Sequence, residues 1–118
     1  DFSDSLAKQE IEAHLRTGNP VIFVVAAKSR KAGAVANKWT SGYHCMTMLG
    51  MTDTGKVIVA DSVDRSTKTF GNNQRIKYAS LGELIGYMFP CTNTTSTSIY
   101  WGGKASSGGY ILINPQNQ

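Results

Sequence analysis

Ser41-Gly42-Tyr43-His44-Cys45-Met46-Thr47-Met48-Leu49-Gly50-Met51-Thr52-Asp53-Thr54-Gly55-Lys56-Val57-Ile58-Val59-Ala60-Asp61 is the stretch on which the fold turns. Two apolar runs flank a turn of the Asp-x-Gly type, a signal for a β-hairpin pairing 43–50 with 56–61. In such a hairpin the start of the first strand lies beside the end of the second. His44 opens the first strand and Asp61 closes the second. His44 stands nine residues before Asp53 and Asp61 six after Gly55, so a bulge or wider loop has to absorb the difference. Both side chains are then expected at one end of the sheet. A carboxylate there accepts a hydrogen bond from one ring N–H and leaves the other nitrogen as an acceptor, the form a general base requires. The plain alternative is a His–Asp pair that only pins a hairpin.

Upstream, Ala7, Ile11 and Leu15 recur at four-residue spacing and predict a helix over 4–16, with Ser3 or Asp4 at its cap. Gly18-Asn19-Pro20 ends it. Val21-Ile22-Phe23-Val24-Val25 follows as a continuous β-branched and aromatic run, the pattern of a strand buried on both faces. Downstream, Ile76-Lys77-Tyr78 reads as an edge strand. Ser80 with Glu83 three residues later forms a capping box for a short helix over 80–89, which Pro90 stops. Ser98–Trp101 and Tyr110–Ile113 read as two closing strands around the Gly-rich turn 102–109. The order predicts one α+β domain over 1–118, a mainly antiparallel sheet with two flanking helices.

Composition narrows the function classes. The longest apolar run, Val21 to Ala27, falls well short of the ~18 residues that a membrane span needs. Two cysteines, Cys45 and Cys91, are too few for a disulfide scaffold or a thiolate zinc centre. Phosphate-loop, His-Glu-x-x-His and calcium-loop patterns are missing, so neither cofactor nor metal is expected. The net charge of +4 is a weak pull toward acidic partners, and its cations do not form one block, so nucleic acid is not an expected partner. His14, within the first helix beside Ala13 and Leu15, reads as structural. Tyr100, Trp101 and Tyr110, near Lys104, fit either core packing or stacking on a sugar or base.

The ordered segments Thr17-Gly18-Asn19-Pro20-Val21-Ile22, Ser41-Gly42-Tyr43-His44 through Gly50, Asp53-Thr54-Gly55-Lys56-Val57 and Val59-Ala60-Asp61-Ser62 resemble the His–Asp half of the bacteriocin-processing (double-glycine leader) peptidases and their cell-wall-associated relatives. These are papain-like cysteine peptidases. Tyr43 stands where a second glycine is common, and Ser62 where proline is. The resemblance implies that His44 is the base, Asp61 its orienter and a peptide the substrate. It also implies a nucleophilic cysteine at a helix N-terminus well before the histidine strand, with an oxyanion-hole glutamine just upstream of it. No cysteine precedes Cys45 here. Adjacent strand residues point to opposite faces, so Cys45 is expected in the core and away from the His44 ring. Cys91 follows the histidine and the aspartate, an order outside the family's pattern.

The expectation is therefore the C-terminal part of a cysteine peptidase, secreted or wall-associated, lacking its own nucleophile. A separate or lost N-terminal piece would complete it, and a chain beginning at Asp1 would be a processed or trimmed product. Half of a two-lobed fold should leave Val21–Val25 and the helix face at Ala7–Leu15 packed on another chain, or exposed as an apolar patch. The second expectation is a non-catalytic peptide- or glycan-binding module on the same scaffold.

Overall fold

The structure is a computed structural model, described here for residues 4–27, 29, 39–40, 42–61, 75–88, 104–105 and 109–113. Helix α1 (Asp4–Arg16) leads through Gly18 into strand β1 (Val21–Val25); β2 (His44–Met51) and β3 (Lys56–Ala60) form the hairpin. Strand β4 (Ile76–Ser80), helix α2 (Leu81–Tyr87), β5 (Lys104–Ala105) and β6 (Tyr110–Leu112) complete the described elements. The strands make one six-stranded sheet in the order β4-β3-β2-β1-β6-β5, and every pairing is antiparallel. The fold is α+β, as the sequence predicts.

Local chemistry accounts for the boundaries. Gly18 takes φ +88 two residues past the end of α1, and its N–H donates to the Leu15 carbonyl. In the hairpin, Gly55 at φ +86 closes a three-residue loop, with its N–H on the Thr52 carbonyl. Ser80 caps α2, its Oγ accepting from the Glu83 N–H at 3.1 Å. The helix is shorter than expected, Leu81–Tyr87, because Met88 turns to extended backbone and bridges Val25 of β1. Phe89 and Pro90 lie outside the described residues.

Both helices contribute to one core. Ala7, Ile11 and Leu15 of α1 and Leu81, Leu84 and Ile85 of α2 join Val21, Phe23, Val25, Met46, Met48, Val57 and Val59 from alternate strand positions. This corrects two expectations. Strand β1 is not buried on both faces: Val21, Phe23 and Val25 are buried, whereas Ile22 and Val24 are only half-buried. A sheet covered by helices on one side produces that alternation. Nor do the buried residues of α1 and β1 form an open apolar face, since they pack against each other and α2 within the chain. Large apolar side chains exposed on the other face of the sheet are instead Leu49, Ile76 and Tyr78.

The C-terminal strands also differ from the expectation. The partner of β6 is Lys104–Ala105, inside the segment that reads as a turn, and Ser98–Trp101 lies outside the described residues. Tyr110 is buried, and its hydroxyl donates to Glu10 Oε1 at 2.8 Å. That settles its role as packing between β6 and α1. His14 is structural as well, with Nε2 on the Ile113 carbonyl at 2.7 Å.

Candidate active site

The hairpin brings His44 and Asp61 together by means of a bulge. From the turn outward, Met51 pairs Val57 and Gly50 pairs Ile58, but the next pairs are Met48 with Val59 and Thr47 with Ala60. Leu49 is the extra residue. Without that shift Asp61 would stand across from Thr47, on the outer face of the sheet, because a one-residue slip exchanges faces. With it, Asp61 stands across from Met46, inside. His44, two residues before Met46, shares that face. The two side chains are therefore diagonal neighbours, within cross-strand reach.

Contact is direct. His44 Nε2 lies 2.6 Å from Asp61 Oδ1, with the Asp61 side chain wholly buried and 10% of the His44 side chain exposed. An ionised carboxylate only accepts, so Nε2 carries the proton and donates it. Nδ1 keeps its lone pair and has no hydrogen-bond partner among the described residues. The His44 backbone is held opposite Val25 of β1, itself tied to Met88 beyond α2, so the imidazole sits on a clamped strand end.

Sequence reasoning missed a third member. Lys77 of β4 stands across from Val59, and its Nζ donates to Asp61 Oδ2 at 2.9 Å. Asp61 thus receives a diagonal neighbour from each flanking strand, and its own N–H donates to the Arg75 carbonyl at 2.6 Å. The Lys77 ammonium also lies 5.8 Å from the ring centroid of Trp39, itself 5% exposed. Trp39 Nε1 is buried without a hydrogen-bond partner. The signal for Lys77 was the β-strand period: a lysine flanked by Ile76 and Tyr78 has to face opposite to both. On the inner face it needs a buried counter-charge.

No thiol of the described residues joins the group. Cys45 pairs with Val24 on the outer face and is an exposed free cysteine, not the core residue expected. The inner face is taken by its neighbours His44 and Met46. Partial burial raises the Cys45 thiol above its ordinary range, the reverse of what a nucleophilic thiolate needs. Cys91 lies outside the described residues. Among the described residues no group of three acidic, histidine or cysteine side chains could hold a metal ion, and no helix is long and apolar enough to cross a membrane.

A family model described as "Peptidase_C39 like family" matches residues 2–84, well over half of the chain and inclusive of His44 and Asp61. The chain belongs to the Peptidase_C39-like family. No curated protein and no solved structure matches it. Membership of that family makes the chain a relative of the C39-type cysteine peptidases and its function cysteine-peptidase-related.

Proposed function

We propose that this chain supplies the base and its orienter to a Cys-His-Asp peptidase that hydrolyses peptide bonds. The single observation that carries the reading is the 2.6 Å bond from His44 Nε2 to a buried Asp61, with Nδ1 left as an acceptor. A thiol brought to Nδ1 gives its proton to the ring, and the resulting imidazolium holds the sulfur as the thiolate that attacks the peptide carbonyl. The imidazolium then returns that proton to the departing amine, and water with the same base releases the acyl group. Cys45 faces away from the ring and Cys91 follows His44 and Asp61 in an order outside the family's pattern, so on this reading a separate N-terminal piece supplies the thiol and the oxyanion donors. Resemblance to the wall-hydrolase and leader-peptidase groups supports a wall cross-link or a leader peptide as substrate, with the wall peptide preferred. On that reading the protein is secreted or wall-associated.

The test is peptide hydrolysis by the intact protein that contains this chain. His44→Ala lowers kcat by ~10²–10⁴, the usual contribution of a positioned acid–base group, and leaves the circular dichroism spectrum unchanged. A thiol-alkylating reagent abolishes turnover, whereas Cys45→Ser does not. Turnover that survives His44→Ala in the folded protein refutes the proposal. A non-catalytic peptide- or glycan-binding module is the second reading, favoured by the lack of a described thiol on the inner face. It is established instead if peptide or glycan binds wild type and His44→Ala equally and no product forms.

A further inference from the structure

We propose that the outer face of the sheet is where two copies of this chain associate, packing sheet against sheet as a weak, reversible dimer. The pairing registers define that face. Residues of β1, β2 and β3 that are buried under the helices leave their alternate neighbours on the opposite side: Ile22 and Val24, Cys45 and Thr47, Ile58 and Ala60. Strand β4 adds Ile76 and Tyr78, opposite Ala60 and Ile58, and β6 adds Ile111, opposite Ile22. Both helices lie on the inner side, so no described element covers the outer one. Leu49, Ile76 and Tyr78 are accordingly 47%, 46% and 61% exposed, and Cys45 is exposed as well. A contiguous apolar face of this kind marks an interaction surface.

The chemistry of the face selects a second copy. None of these outward residues is charged at ordinary pH, since partial burial pushes the Cys45 thiol up and keeps it neutral. The nearest cation among the described residues, Lys56, stands at the hairpin end of β3. In a two-fold interface each face meets its own copy, so a charge there would oppose its like. A neutral face escapes that penalty and offers a charged partner nothing to pair with. A separate N-terminal piece bringing a thiol has to reach the His44 ring on the inner side, which does not require the outer face. Size sets the strength. Six strands spaced ~4.8 Å apart, five residues long in β1 and eight in β2, give a face of roughly 24 by 17–26 Å, on the order of 400–600 Å² per copy. Two copies then bury about 800–1,200 Å², the range of weak and transient contacts, for which a dissociation constant of about 10–100 μM is expected.

The experiment follows the mass of the protein by sedimentation velocity from about 5 to 500 μM, and the alkylation rate of Cys45 at one fixed pH in a Cys91→Ser background. The mass rises from one copy toward two. Over the same range Cys45 alkylates about 4–10-fold more slowly, following the fraction of single copies that remains. Thr47→Arg places a cation mid-face, between Ile22 and Ala60, and Tyr78→Lys places one on the edge strand. Each weakens association ~100-fold or more, with the circular dichroism spectrum unchanged. Tyr78 is the more exposed of the two and keeps the comparison open if Thr47→Arg does not fold. A protein that remains a single copy at the highest concentration overturns the proposal. So does a dimer that persists in every folded variant with Cys45 equally reactive throughout, because its contact lies elsewhere. Protection of Cys45 in a complex of one copy with a different polypeptide also overturns it and gives the face to that polypeptide.

Discussion

Asp61→Asn is the sharpest probe of the site, because an amide cannot serve both of its neighbours as a carboxylate does. Asparagine has one acceptor oxygen and one NH2 donor. If the oxygen stays on His44 Nε2–H, the NH2 meets the Lys77 ammonium where Oδ2 now stands, 2.9 Å away, donor against donor. If the amide turns over, its oxygen serves Lys77 and its NH2 faces Nε2, which must then surrender its proton. Lysine has no acceptor to offer, whereas histidine can change tautomer, so the second arrangement wins. The ring proton moves to Nδ1, and the nitrogen meant to accept becomes a donor. The stability cost comes from Lys77. Its side chain is 12% exposed and loses the carboxylate 2.9 Å away, and breaking a buried ion pair costs about 3–5 kcal/mol. Over a urea slope of ~1–3 kcal/mol per molar, the unfolding midpoint falls by roughly 1–5 M. Two measurements follow the change: urea unfolding, and the ¹⁵N shifts of the His44 ring, which separate a protonated from an unprotonated nitrogen. Peptide hydrolysis by the intact protein should fall by ~10⁴, the scale seen when a catalytic histidine is left in the wrong tautomer. If the proton stays on Nε2 in a folded Asp61→Asn protein, or stability drops by less than about 1 kcal/mol, then Asp61 is not the shared partner described.

Two further outcomes test the scaffold and the cysteine. Gly55→Ala costs about 1 kcal/mol in urea unfolding, entirely through backbone strain, because φ is +86 and no atom lies within 4 Å of the added Cβ; an unchanged midpoint would mean the loop relaxes to another turn. In a Cys91→Ser background, Cys45 alkylates more slowly at pH 7–8 than a free cysteine, and its rate keeps rising beyond pH 9, since partial burial raises its thiol. Fast alkylation below pH 7 would show an activated thiolate and return Cys45 to candidacy as nucleophile.

Much of this architecture is written in local chemistry. The four-residue spacing of Ala7, Ile11 and Leu15, the Asp53-Thr54-Gly55 turn and the Ser80 cap each depend on neighbours within a few positions, and each is realised. The readings that fail are those that depend on the rest of the sheet. A run such as Val21–Val25 has the same composition whether helices cover one face or both, so its half-open character becomes visible only with the strand order in hand. Cys45 looked like core for the same reason: parity assigns it to the face opposite His44, but nothing local says which of the two faces is dry. The pairing of Lys104–Ala105 with β6 lies where glycines on either side make a turn the stronger local reading.

The site shows how far parity alone can carry an argument. His44 and Asp61 were legible as neighbours because a hairpin has two ends, yet which face each occupies depends on one unpaired residue, Leu49. Continuous pairing from the turn would have set Asp61 outside with Thr47, where a carboxylate costs nothing to solvate and orients no imidazole. Shifted by one, it is buried and meets the imidazole directly. Lys77 reaches the same carboxylate from β4, on that face because Val59, its cross-strand partner, is already committed to the core. The bulge thus decides whether the imidazole meets a carboxylate at all.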